Sequence, residues 1–596
     1  MPHPDRNETD LAGSHPMPRV RFGRHFEAHP FVFPVGAGLI LLAVLLCFLW
    51  PSPDLRETFE SIRDGIGSTF GWLYIAMLTL FLILAVGLAL GPWGRIRLGS
   101  DDEKPEFRYW SWFAMLFSAG MGIGLLFFGV AEPIYHFQSP PPGYGEEWSG
   151  RDLSMAVTVF HWGLHPWALY AMVGMMLAYV GFRLKLPLTF RSLLHPWLGD
   201  RVWGRTGDLV DTFAVIATLT GVATSLGIGA QQVNAGLAFL FDLPVNPAIQ
   251  VLLIAAITAV ATISVAAGLK AGIRRLSELN MTLAALLLLL VIAGAGIGTF
   301  FGNAMHNALE YLKILPTKSV RTGAFVEESR SWLTSWTIFY WAWWISWSPF
   351  VGMFIARVSR GRTIREFVLG VLLVPTTIGL IWFSAFGNTA LDRQQSAERG
   401  AAPSSPPTAA SESTTFWVGL QDEDGDWQRM EDGSIKRKEV SLTTVDYLSA
   451  PVVTGDGQAE IETLPTVLFV MLEQLLGSSG FPRFLVLFAV GAATLCIVLF
   501  FVTSSDSASM VIDMISSGGN PDPPVGTRLF WAVLEGMVAA ALLIAGGLLA
   551  LQAASVAAAL PLTLILIAAT YSFLRALRRE GRRSSVDSKE ARDSTG

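Results

Sequence analysis

Four indoles, Trp341, Trp343, Trp344 and Trp347, lie in one apolar run that begins near Thr337 and ends in Arg357, Arg360, Arg362 and Arg365. Interfacial tryptophans belong at span ends, whereas these begin about seven residues, roughly 10 Å, inside the outer end near Thr334. Trp343 and Trp347 are four apart and Trp344 and Trp347 three apart, so on a helix these three point broadly one way. Aromatic faces carry negative potential, and several around one space make a site for a cation that cannot hydrogen-bond, a quaternary ammonium above all. The same residues also serve as packing between helices, and the cluster alone fits both uses.

A second aromatic set lies in Phe160-His-Trp-Gly-Leu-His-Pro-Trp-Ala-Leu-Tyr170. Pro166 breaks the backbone ladder beside Gly163, and a kink there could bring Trp162, Trp167 and Tyr170 around one space. His161 and His165 are four apart and could ligate a metal or relay protons. No third ligand is evident beside them, and the expectation is of hydrogen-bonded structural histidines near the outer interface.

Ser118-Ala-Gly-Met-Gly-Ile-Gly124 places Gly120, Gly122 and Gly124 at alternate positions, each weakening a helix by roughly 1 kcal/mol relative to alanine. Local unwinding inside a membrane is tolerated only where the backbone lines a cavity or is buried in protein. The freed carbonyls then suit an alkali cation and the freed amides a carboxylate. Close helix packing through small residues is the other use of such a pattern. Thr220 and Thr224 share one helical face, and Thr503 and Ser504 lie in Phe500-Phe-Val-Thr-Ser-Ser-Asp506. Hydroxyls in apolar spans commonly bond their own i−4 carbonyls, yet beside an unwound third span Thr503 and Ser504 could complete a sodium shell. Glu132, Asp211, Asp506 and Asp513 read as end-of-span groups paired with neighbours, Asp506 being the best candidate for more.

These residues must be carried by membrane spans. The chain of 596 residues is 52% hydrophobic and 15% charged, with several stretches of about 20 residues free of charge. Apolar runs give twelve spans, near 31–50, 70–92, 109–137, 155–180, 209–241, 247–268, 279–302, 334–356, 366–387, 483–514, 528–550 and 552–574. Residues 1–30 form a polar tail, 31–575 the membrane domain with an outer loop 388–463, and 576–596 a short second tail. Most Lys and Arg then fall on the side of both termini, so both are expected in the cytoplasm. Asn303 to Ile314 and Leu464 to Leu476 could lie as helices on the outer surface, and a hairpin is expected near Asp432-Gly433. Asp422, Asp424 and Asp426 open like a calcium loop, but Trp427 and Gly433 stand where glycine and glutamate are needed. Cys47 and Cys496 suggest no disulfide framework, no basic patch suggests nucleic acid, and no nucleophile-base pair or phosphate loop suggests an enzyme.

Ala119-Gly-Met-Gly-Ile-Gly124, Phe160-His-Trp-Gly-Leu-His-Pro-Trp167 and Tyr340-Trp-Ala-Trp-Trp-Ile-Ser-Trp-Ser-Pro-Phe-Val-Gly352, in this order, resemble the betaine/choline/carnitine transporters. The resemblance implies an all-α polytopic protein of 12 transmembrane helices. Its LeuT-like core would have two inverted five-helix repeats, spans 3–7 and 8–12, and the usual assembly would be a homotrimer in the cell membrane. It implies that Trp162, Trp167, Tyr170 and Trp344 form a box for a trimethylammonium group, with Trp343 and Trp347 lining the path. The carboxylate of a betaine would lie by the backbone of Gly120, Met121, Gly122 and Gly124. One sodium ion would be held by carbonyls of Ser118, Met121 and Phe500 with the hydroxyls of Thr503 and Ser504, and a second by Thr220 and Thr224. The absence of a carboxylate at Gly124 favours a betaine over choline. The few arginines after Arg575 are shorter than the basic domain of osmotically regulated members. The resulting expectation is a sodium-coupled importer of glycine betaine with no cofactor. A proton-coupled or exchange-mode carrier using His161, His165 or Asp506 is the first rival, and a sensor or channel the second.

Overall fold

A computed structural model describes residues 17–593 except 24, 51–52, 121, 145–149, 242, 267–269, 323–326, 401–413, 420–436, 443–451, 454–459, 462–463 and 479. The chain begins with α1 (Val32–Leu49) and α2 (Pro53–Leu90). The glycine-rich stretch divides α3 (Tyr109–Gly120) from α4 (Ile123–Gln138), and Gly163 divides α5 (Gly150–Trp162) from α6 (Leu164–Ala178). The short α7 (His195–Leu198) precedes α8 (Arg205–Phe241), α9 (Pro247–Ala266), α10 (Lys270–Ala295) and α11 (Ile297–Val320). Next, α12 (Glu327–Leu333) leads through a wide π turn, Thr334–Ile338, into the tryptophan-bearing α13 (Phe339–Val358) and then α14 (Ile364–Gly400). The last helices are α15 (Val467–Ser478), α16 (Arg483–Ser516) and α17 (Val525–Asp593).

The molecule is a helical, multi-pass membrane protein: among the described residues nine helical stretches are long and apolar enough to cross a bilayer. Several breaks fall at glycine. Gly296, with φ +93°, ends α10 and turns the chain into α11, and α17 bends at Gly546–Gly547, where Gly547 has φ +60°. At Gly163 a Cβ would stand 2.6 Å from the Val159 carbonyl oxygen and 2.8 Å from the Tyr311 hydroxyl, so this break has room only for glycine. The freed Leu164 N–H donates to the Tyr311 hydroxyl at 2.9 Å, which brings α11 against the break. The stretch expected to lie on the outer surface from Asn303 is thus part of α11, with Asn307, Tyr311 and Ile314 buried on one side.

Apolar run and helix do not share limits. The run expected from residue 70 begins at Pro53, because Arg56, Glu57, Glu60, Arg63 and Asp64 interrupt hydrophobicity and not helix formation. Most of α5, α6, α8 and α13 is buried, so these form the centre, whereas α1, α9 and α10 keep wide outward apolar faces. Among the described residues three small antiparallel sheets accompany the helices: β1 (Val20–Phe22) with β2 (Phe26–Ala28), β3 (Thr414–Gly419) with β4 (Arg437–Leu442), and β5 (Val452–Val453) with β6 (Glu460–Ile461). The expected turn at Asp432-Gly433 lies outside the described residues. The first hairpin docks on the end of α16, where His29 N–H donates to the Ser516 carbonyl at 2.7 Å and the Ser517 hydroxyl to the Glu27 carbonyl at 2.8 Å.

A candidate cation-binding site between broken helices

Trp162 closes α5, Trp167 and Tyr170 open α6, and Trp344 projects from α13, so three helices supply four rings. The rings form a connected set. Trp162 and Trp344 have centroids 4.8 Å apart at 77°, Trp344 and Tyr170 6.3 Å at 79°, and Tyr170 and Trp167 5.6 Å at 72°. All are buried. Edge-to-face pairs of this kind contribute about 0.5–1.5 kcal/mol each beyond area burial, and they turn successive ring faces in different directions. The buried Tyr170 hydroxyl makes no hydrogen bond within the described residues.

Trp343, Trp344 and Trp347 do not all point one way, as their spacing suggested. The indole N–H groups of Trp343 and Trp347 both donate to the Gly221 carbonyl of α8, at 3.3 and 2.8 Å, and Trp343 also reaches the Ser225 hydroxyl at 3.2 Å. Trp344 instead donates to the His161 carbonyl of α5 at 3.1 Å while its ring stacks on Trp343 at 5.0 Å and 11°. Successive residues on a helix are about 100° apart, and here the N–H partners decide between them. Trp341 belongs to a separate layer, stacked on His165 at 5.6 Å.

The N-terminus of α4 enters this set from the side. Gly124 has no room for a Cβ, which would stand 2.7 Å from Trp162 Cη2 and 2.8 Å from Trp343 Cη2, whereas around Gly122 nothing lies within 4 Å. Gly122 is the N-cap of α4 and no side chain caps the helix, so among the described residues the Ile123 and Gly124 amides are open to an anion, while the Leu125 N–H donates to the Gly122 carbonyl at 3.1 Å. Gly120 and Ser118 end α3. Met121 lies outside the described residues.

Thr503 donates to the Leu499 and Phe500 carbonyls at 2.8 and 3.3 Å, and Thr503 and Ser504 are half-buried on α16. Thr220 bonds the Ile216 and Ala217 carbonyls of its own helix. Thr224 reaches across to α17, 3.0 Å from the Leu551 carbonyl and 2.9 Å from the Ser555 hydroxyl, which gathers oxygens from two helices. Among the other acids, Asp211 pairs with Arg191 at 2.6 Å and Asp506 with Arg528 at 2.8 Å.

Glu132 is the residue whose place the sequence did not reveal. Fully buried on α4, it receives at Oε2 the Trp162 indole N–H at 2.8 Å and the Tyr340 hydroxyl at 2.5 Å. Its Oε1 lies 2.6 Å from His161 Nδ1 and 3.1 Å from His136 Nε2. His161 Nε2 is 2.9 Å from the Thr337 hydroxyl, so His161 is held by a carboxylate and a hydroxyl, whereas His165 bonds Ser319 at 3.1 Å. The two histidines therefore serve different places, and His161 does have further ligand-type neighbours: Glu132, His136 and His161 offer atoms within 4.8 Å of one another. Both imidazoles thus share one carboxyl oxygen, while the buried His136 Nδ1 makes no hydrogen bond within the described residues. The available signal was an acid and a histidine at i and i+4 inside an apolar span.

The family model for the betaine/carnitine/choline transporters matches residues 31–419 and 451–582. The chain is 38% identical over 578 residues to a glycine betaine/proline/choline transporter of Vibrio parahaemolyticus, covering 94% of this chain and 92% of that one. It is also 38% identical over 554 residues to the glycine betaine transporter OpuD of Bacillus subtilis, covering 92% and 94% respectively. A glycine betaine transporter of Acinetobacter baylyi is 38% identical over 563 residues, covering 94% of this chain and 75% of that protein. These relatives are transporters and not enzymes. With a matching family model across nearly all of its length and relatives of this identity and coverage, the chain belongs to the betaine/carnitine/choline family of transporters.

Proposed function

We propose that the protein is a sodium-coupled symporter that imports glycine betaine by alternating access. The observation that carries the substrate is the ring set Trp162, Trp344, Tyr170 and Trp167 beside the uncapped N-terminus of α4. A trimethylammonium group has no N–H to donate and is recognised by ring faces, while a carboxylate is recognised by open amides at a helix start. A betaine carries both groups a few ångströms apart. The names of the relatives support the same substrate class.

Sodium is assigned to the carbonyls of Ser118, Met121 and Phe500 with the Thr503 and Ser504 hydroxyls, and a second ion to Thr220 and Thr224. These oxygen donors fit a hard cation, and the Thr224, Ser555 and Leu551 oxygens add weight to the second position. Twelve spans with spans 3–7 and 8–12 as inverted repeats, a homotrimer and cytoplasmic termini complete the reading. Rocking of one repeat against the other would expose the rings to each side in turn.

The test is uptake of radiolabelled glycine betaine into proteoliposomes under an inward sodium gradient, beside equal gradients of potassium and protons. Uptake driven by sodium alone supports the proposal. Equal uptake without an ion gradient, dependent on internal substrate, makes the protein an exchanger. Uptake driven by protons alone replaces sodium as the coupling ion. Proline and choline are measured alongside, since the Vibrio relative's name includes both.

A further inference from the structure

We propose that Glu132 is a positioning residue that sets the cation selectivity of the ring site through the indole of Trp162. This inference rests on the betaine reading above and adds to it a specificity-determining residue outside the rings.

The geometry is that of a ring held at both ends by one helix. Trp162 donates its N–H to Glu132 Oε2 at 2.8 Å, and its opposite edge, at Cη2, abuts Gly124, where a Cβ would stand 2.7 Å away. Glu132 and Gly124 are eight residues apart on α4, close to two full turns, and therefore share a face. The indole thus lies along α4 and cannot tilt without leaving the carboxylate or striking the glycine. The carboxylate is in turn fixed by Tyr340 of α13 and His161 of α5, the helices that bring Trp344 and Trp162 together.

The contact also changes the ring. An indole N–H that donates to a carboxyl oxygen gains electron density over its π face, because hydrogen-bonded groups polarise one another in a low-dielectric interior. The attraction between ring and cation is electrostatic, so a more negative face holds an ammonium more tightly and does nothing comparable for a neutral group of the same shape. A residue serving only to pack the helices would affect both kinds of ligand alike.

The experiment compares two isosteres, glycine betaine and 3,3-dimethylbutanoate, which has carbon in place of the quaternary nitrogen. Binding of each to the purified, full-length protein is measured by competition, for wild type, Glu132→Gln and a protein with 3-benzothienylalanine in place of Trp162. The last keeps the bicyclic ring and lacks only the N–H, and it carries the test if Glu132→Gln does not fold. The expected result is that each variant weakens glycine betaine about tenfold and leaves 3,3-dimethylbutanoate within about twofold. Combining the two changes should add little, because they remove the same interaction. Equal weakening of both ligands, or wild-type affinity for glycine betaine in either variant, overturns the inference alone. Absence of glycine betaine binding by the wild-type protein overturns the substrate reading and this inference with it.

Discussion

Gly124→Ala is the smallest change that tests whether α4 sets the ring geometry. The new Cβ would lie 2.7 Å from Trp162 Cη2 and 2.8 Å from Trp343 Cη2, about 0.7–0.8 Å inside the ~3.5 Å at which carbon atoms pack without strain. Neither ring is free to withdraw. Trp162 is tied to Glu132 by its N–H, and Trp343 to Gly221 and Ser225 of α8, with Trp344 stacked against it. Overpacking of this kind costs about 1–3 kcal/mol, equivalent to roughly 5- to 150-fold in an equilibrium constant. Part of it will appear as lost stability and part as displaced rings, so we expect glycine betaine affinity to fall about tenfold and the melting temperature to drop. Gly122→Ala is the internal control: nothing lies within 4 Å of its Cβ position, and its φ of −152° is open to any residue. Its melting temperature should match wild type. Titration calorimetry and thermal melting in detergent measure both quantities. Wild-type affinity and melting temperature for Gly124→Ala would refute the claim that this glycine fixes the rings.

Three further outcomes follow from other parts of the structure. Ser504→Ala should raise the sodium concentration for half-maximal uptake several-fold while leaving betaine affinity at saturating sodium nearly unchanged; an unaltered sodium dependence removes Ser504 from the ion site. Gly547→Ala should destabilise the protein by about 1–3 kcal/mol, since φ +60° with ψ −139° is a backbone conformation essentially reserved for glycine, and thermal melting will show it. The third concerns His29, whose Nδ1 accepts the N–H groups of Phe31 and Val32 at 3.3 and 3.2 Å at the start of α1. Burial, aided by the Arg191 charge and opposed by Asp208, lowers its pKa to about 4. With the folded value below the unfolded one, its contribution to stability is complete above about pH 6.5 and is lost as pH falls towards about 4. Hydrogen exchange in Val20–Ala28 should therefore accelerate across that window, and His29→Asn, which does not titrate, should flatten the change.

Legibility in the sequence followed locality. The two aromatic stretches and the glycine-rich stretch announce themselves because tryptophans deep in a span and alternate glycines in a helix both run against ordinary membrane composition. The breaks at Gly122 and at Gly163 lie within those stretches. What composition could not give is direction. Trp343 and Trp344 are neighbours, and only Gly221 and the His161 carbonyl decide which way each N–H turns. Glu132 was harder still, since Trp162 and Tyr340 lie 30 and 208 residues away in sequence. Charged residues misled in the opposite sense in α2, where they interrupt hydrophobicity but leave the helix unbroken.

On the betaine reading, the arrangement along α4 would favour a zwitterion over a simple cation. The uncapped first turn at Gly122 presents partial positive charge, and Glu132, ten residues further and so roughly 15 Å along the axis, presents carboxyl oxygens. Trp162 spans part of the interval with its N–H on Glu132 and its far edge at Gly124. A dipolar ligand lying beside that indole would meet open amides at one end and ring faces at the other, and would lie with the carboxylate towards Gly122 and the ammonium among the rings. Choline shares the ammonium but offers the open amides only a neutral hydroxyl. Charge-assisted hydrogen bonds are about twice as strong as neutral ones, so two such contacts would separate the two ligands by several-fold to a hundredfold in affinity. Comparable binding of choline and glycine betaine would mean that the rings alone carry recognition and that the helix start contributes nothing.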